Sequence, residues 1–74
     1  MIKYKDVDKN SGVQSYEIGH DSVTVQFKGG GVYCYSYKSA GVNNVERMKV
    51  LAQQGDGLNA FINTTVRTKY DWKR

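Results

Sequence analysis

Val23-Thr24-Val25-Gln26-Phe27-Lys28, then Gly29-Gly30-Gly31, then Val32-Tyr33-Cys34-Tyr35-Ser36-Tyr37 is the stretch whose reading decides the fold. Its first part alternates apolar and polar residues strictly, as a strand with one buried face requires. Three glycines permit positive φ at any position, so they mark a turn. Its last part carries tyrosine at every second position. The length of the turn is then the deciding quantity. A two-residue loop pairs Val32 with Phe27 and sets the tyrosines opposite Thr24 and Gln26, on the polar face. A three-residue loop shifts the parity and sets Tyr33 and Tyr35 on the face of Val23, Val25 and Phe27. A slip of one residue moves every side chain of a strand to the other face. A chain of 74 residues buries only about 60% of the surface its unfolded form exposes. It needs those rings inside, so the odd loop is the expectation, with Cys34 and Ser36 pointing the other way.

Upstream, residues 13–18 read as a first strand, with Tyr16 and Ile18 on one face and the turn residues Gly19-His20-Asp21-Ser22 after it. If His20-Asp21 form a two-residue loop, Ile18 faces Val23 and Tyr16 faces Val25, both on the core side. Downstream, Lys38-Ser39-Ala40-Gly41 forms a connection, and Asn43 with Glu46 three positions on has the form of a capping box. Val42, Val45, Met48, Leu51 and Ala52 recur at helical spacing, and Gly55 is placed as the C-terminal cap. Asp56 is a candidate cap for a second, shorter helix carrying Leu58, Phe61 and Ile62 on one face. Beyond Thr64-Thr65 the β-branched residues predict an extended chain with a mobile end. The expected core is Tyr16, Ile18, Val23, Val25, Phe27, Tyr33, Tyr35, Tyr37, Val45, Met48, Leu51, Ala52, Leu58, Phe61 and Ile62. The predicted fold is α+β: a three-stranded antiparallel β-meander, one main helix packed on one face, and a short C-terminal helix and extended tail. Residues 1–10 are expected to form a partly ordered N-terminal segment, 11–70 a single domain and 71–74 a basic C-terminal tail.

Charge and cysteine usage narrow the function classes. Eleven Lys+Arg against seven Asp+Glu give a net charge of +4, which favours an anionic partner. The excess is concentrated at the C-terminal end, where Arg67, Lys69, Lys73 and Arg74 face Asp71 alone, interleaved with Tyr70 and Trp72. The plain reading is a solvated basic segment that aids solubility; the functional one is a phosphate-contacting arm with aromatic stacking partners. No apolar run approaches the ~20 residues of a membrane span, and no signal peptide is evident. One cysteine, Cys34, forms neither an internal disulfide nor a thiolate zinc site. A cytoplasmic protein is the expectation.

The run from Val23 to Tyr35 resembles the core of the KTSC domain, a small domain named for its occurrence at the C-terminus of some lysyl-tRNA synthetases. The hallmark Tyr-x-Tyr after a glycine turn is matched by Tyr33-Cys34-Tyr35. Ser11 and Val13 match the opening of the family's first strand, Gly57-Leu58-Asn59 its glycine and Leu-Asn step, and Val66-Arg67 with Tyr70 its aliphatic–basic pair and following tyrosine. The resemblance covers residues 11–70. The chain departs from the family pattern in lacking an aliphatic–proline step before the helix and in carrying a third tyrosine, Tyr37. Members occur as stand-alone small bacterial and phage proteins. The synthetase fusion implies RNA binding.

Catalytic chemistry is not expected. His20 is the only histidine and lies in a predicted turn, no metal-ligand cluster is visible, and no nucleophile–base pair stands out. The glycine run joins two strands, whereas phosphate loops join a strand to a helix. No cofactor and no metal are expected. The tyrosine strand has two readings: core, with hydroxyls reaching a rim, or an outward stacking platform for unpaired bases. Burial favours core. The expected function is therefore a non-catalytic binding module for single-stranded nucleic acid, RNA favoured. Its candidate contacts are Arg67, Lys69, Tyr70, Trp72, Lys73 and Arg74, with Tyr33 and Tyr35 as structural motif residues. The alternative is a protein-interaction or phage-type inhibitor module, with a homodimer compatible with the chain's small core.

Overall fold

In the computed structural model, which describes residues 1–7, 9 and 11–74, β1 (Ile2–Lys3), β2 (Val13–Ile18), β3 (Ser22–Phe27), β4 (Val32–Ser36) and β5 (Trp72–Lys73) form the sheet. The glycine bend between β3 and β4 holds three residues, Lys28, Gly29 and Gly30. Phe27 N–H donates to the Gly31 carbonyl at 3.1 Å and closes it. Gly29 sits at φ 65°, in the left-handed region that favours glycine. The odd loop sets Tyr33 opposite Val25 and Tyr35 opposite Val23. Tyr35 is 1% exposed. Cys34, opposite Thr24, takes the other face, as expected.

The β2–β3 turn also has the expected length. Ile18 pairs with Val23 and Tyr16 with Val25, and Gly19 N–H donates to the Ser22 carbonyl at 2.9 Å around His20-Asp21. The pairing shifts between Val13 and Ser15, so a bulge interrupts the alternation. That shift lets both Val13 and Tyr16 reach the core side. Val13 is fully buried although period-2 counting back from Tyr16 places it outside.

The sheet has five antiparallel strands in chain order, not three. β1 pairs with β2, Ile2 opposite Tyr16, and β5 pairs with β4, Tyr33 opposite Lys73 and Cys34 opposite Trp72. Each added strand is two residues long, too short to carry a periodic signal. Residues 2–4 therefore contribute to the fold: Tyr4 is buried and its backbone N–H donates to the Gln14 carbonyl at 3.0 Å. Asp8 and Asn10 of the N-terminal segment lie outside the described residues. At the other end, residues 71–74 are held in the ladder. Asp71 N–H donates to the Cys34 carbonyl, and Arg74 N–H to the Val32 carbonyl.

Three helices follow β4: α1 (Tyr37–Ala40), α2 (Val42–Gln54) and α3 (Leu58–Phe61), the last running into a π-helical turn, Ile62–Val66. The expected Asn43–Glu46 capping box does not form. Ser36 and Ser39 make one instead, at the start of α1, and α2 begins after Gly41 without a side-chain cap. A serine pair ahead of a short turn displaced the helix start toward the strand. Gly55 ends α2 in the left-handed conformation, as expected. Gly57, not Asp56, precedes α3. The chain does not extend after Thr65, because helical bonding continues to Val66. One core lies between the sheet and the helices. Val23, Val25 and Tyr35 meet Val45, Met48, Leu51, Ala52, Leu58, Ile62 and Val66, and Ile18, Phe27, Tyr33, Tyr37 and Phe61 pack against its margin. Among the described residues no helix is long and apolar enough to cross a membrane.

Candidate nucleic-acid interface

The parity of the glycine bend builds a groove. With Tyr33 and Tyr35 on the helix side, the sheet's β4 end and the π-helical turn enclose a cavity of about 340 Å³, at the small end of ligand-sized sites. Tyr33, Tyr35 and Phe27 line it from the sheet, and Asn63, Arg67, Thr68 and Tyr70 from the segment after α3. The rings interlock: Phe27 meets Tyr33 edge to face at 5.4 Å, and Tyr33 meets Tyr70 at 5.2 Å. Such contacts add about 0.5–1.5 kcal/mol each beyond area burial. Lys73 extends the cluster, its Nζ lying 5.8 Å from the centre of the Tyr70 ring.

The π-helical turn supplies the opposite wall. Its sequence, Ile62-Asn63-Thr64-Thr65-Val66, is rich in β-branched residues that crowd an α-helix. The Thr64 hydroxyl donates to the Ala60 carbonyl at 2.9 Å, a back-bond that loosens regular helical pairing. A π-helix bonds residues five apart rather than four, and Asn63, Arg67 and Thr68 all face the same groove. Single π-turns of this kind are frequent at functional sites.

Charge in the groove has one sign. Its described lining contains Arg67 and no carboxylate. The Tyr35 phenol is pushed up to about 12, first by burial and then by the neighbouring Tyr33 and Tyr70 phenols. It therefore stays a neutral hydrogen-bond donor throughout the physiological range. A second cavity, of about 230 Å³, is bordered by Asp6, Asp56, Ser11 and Asn59. Its two carboxylates do not suit a polyanion, and Asp6 already pairs with Lys28 at 2.9 Å and accepts from Ser11 N–H at 3.1 Å.

The sequence-predicted contacts fall into two groups. Arg67 and Tyr70 meet Tyr33 and Tyr35 in the groove, so four residues that carry the KTSC resemblance line one cavity, with Lys73 beside Tyr70. Trp72 and Arg74 do not join them. Trp72 stands opposite Cys34 and so projects from the other face, with the Arg74 guanidinium 4.5 Å from the centre of the indole. Strand alternation divides what reads in sequence as a single basic-aromatic arm. Lys69 is exposed in the turn after Val66, its N–H donating to the Val66 carbonyl. Sequence reasoning missed Asn63 and Thr68. The four-residue spacing of Asn63 and Arg67 was the available signal, and the expectation of an extended chain hid it.

Tyr37, Glu46 and Lys49 form a separate polar network. The Tyr37 hydroxyl donates to Glu46 at 2.6 Å, Lys49 pairs with Glu46 at 2.8 Å, and Lys49 Nζ also donates to the His20 carbonyl. The Lys49 ammonium, and after it the Tyr37 hydroxyl, hold the Glu46 carboxyl below its usual range. This network ties the β2–β3 turn to α2. Cys34 is a buried free thiol, and among the described residues no cluster of three or more His, Cys, Asp or Glu is placed to hold a metal ion. No protein-family model, curated protein or solved structure matches the chain.

Proposed function

We propose that the chain is a non-catalytic module that binds single-stranded nucleic acid, with RNA preferred, in the groove between β4 and the π-helical turn. One observation carries this reading: Arg67 and three phenols line a single cavity whose described lining holds no carboxylate. Arg67 offers a phosphate contact, and the Tyr33 and Tyr70 rings offer apolar surface for an unstacked base. Tyr35, Asn63 and Thr68 supply neutral donors suited to a base edge or a ribose hydroxyl. The preference for RNA rests on the KTSC resemblance.

The salt dependence of binding tests it. An oligouridylate of about four nucleotides should bind with a log–log salt slope of about −1.5 to −2, the value for neutralising two or three phosphates on a single strand. Replacing Arg67 and Lys69 together by alanine should remove most of that slope. Unchanged affinity and slope in the double variant would eliminate the groove as the site. Failure to bind the oligonucleotide, with capture of a protein that persists at high salt, would favour the protein-interaction reading.

A further inference from the structure

We propose that a single strand occupying the groove continues across the edge of β5 onto the opposite face of the sheet, where Arg74 and Trp72 form a second stacking position. This rests on the groove reading above and adds to it a path and a second contact site.

β5 is the terminal strand of the sheet. The backbone bonds of residues 71–74 run to Cys34 and Val32 of β4, so its outer edge pairs with no strand among the described residues. Side chains alternate about that edge. Lys73 is opposite Tyr33 with its Nζ over Tyr70, on the groove side. Trp72 is opposite Cys34, on the far side, and remains 37% exposed. Cationic groups thus flank both sides of one free edge: Arg67 in the groove lining and Lys73 over Tyr70 on one side, Arg74 on the other. Asp71 is the only acidic side chain in residues 67–74. A guanidinium lying on an indole leaves its outer plane open, and such planes accept unpaired bases as aromatic rings do.

On the far face the residues next to Trp72 across the sheet, Cys34 and Thr24, are small, and Trp72 and Arg74 themselves are exposed. The carboxylate in that row, Glu17, lies beyond Thr24 on β2, away from the β5 edge. A polyanion crossing β5 therefore meets cations on both sides.

Trp72 is the only tryptophan and reports on this position directly. The full chain is titrated with oligouridylates of about four and about eight nucleotides. Indole emission is recorded, and binding is followed separately by anisotropy of the labelled oligonucleotide. Both lengths are expected to bind, and only the longer to quench the indole. Arg74→Ala and Trp72→Ala should each weaken the longer oligonucleotide about tenfold, within the range of one stacked base, and leave the shorter one within about twofold. Arg67→Ala should weaken both. If the longer oligonucleotide binds with unchanged indole emission and with equal affinity in the Arg74 and Trp72 variants, the edge path is wrong and the groove reading stands. If neither length binds, both fail.

Discussion

Tyr35→Ala is expected to lower the unfolding free energy by about 3–5 kcal/mol, the usual cost of deleting a buried aromatic side chain. At roughly 0.05–0.15 kcal/mol per residue, a chain of this length holds about 4–11 kcal/mol, so the substitution removes a large part of its stability. The effect follows from the glycine bend. Tyr35 is 1% exposed and belongs to the central cluster with Met48 and Leu51. The control lies one residue away. Cys34→Ala deletes a single heavy atom on the other face of β4, and about 1 kcal/mol is expected. Urea denaturation of the two variants, with the slope of the transition compared as well as its midpoint, measures the contrast. Equal losses, or a larger loss at Cys34, would place the rings on the wrong face.

The second large effect is expected at Tyr4. Its side chain is 2% exposed, and its hydroxyl accepts the Leu58 N–H at 3.3 Å. Leu58 opens α3, whose preceding residue, Gly57, offers no side-chain cap. A phenol from the other end of the chain thus satisfies one of the free donors that every helix start leaves. Tyr4→Ala should cost about 3–5 kcal/mol. Tyr4→Phe keeps the ring and removes the hydroxyl, and about 1–3 kcal/mol is expected for the orphaned Leu58 N–H. Thermal or urea unfolding reads both. A loss below about 0.5 kcal/mol in the alanine variant, the level of a neutral surface change, would return residues 1–10 to the status of an appended segment.

These two tyrosines show what the sequence made legible and what it hid. Tyr35 was readable because its strand, its turn and its neighbours all repeat at period 2, and only one parity buries the rings. Met48 and Leu51 were readable through a helical period sustained over a whole helix. Tyr4 carried no such signal. It follows a two-residue strand amid Lys3, Lys5 and Asp6, and its burial depends on pairing with β2 and on reaching Leu58, both long-range events. Val13 is missing from the expected core because a bulge breaks the period it would be counted by. The candidate site was half legible. Arg67 and Tyr70 stood out by composition and resemblance, whereas Asn63 and Thr68 reach the groove only because helical bonding runs on through a β-branched segment to Val66. The division of Trp72 and Arg74 from Tyr70 and Lys73 follows from β5, a strand too short to be seen before its partner is known.

The groove, its phenols and its arginine all depend on the register of β3 against β4, and proton–proton contacts in solution read that register directly. Phe27 and Gly31 form a hydrogen-bonded pair. Alternation then makes Gln26–Val32 and Thr24–Cys34 the close, non-hydrogen-bonded pairs, with Cα atoms about 4.5 Å apart. Strong Hα–Hα nuclear Overhauser effects between Thr24 and Cys34 and between Gln26 and Val32 are the expected result. Contacts between Thr24 and Tyr35 and between Gln26 and Tyr33 in their place would mean an even loop, with the tyrosines turned to the polar face and no groove behind them.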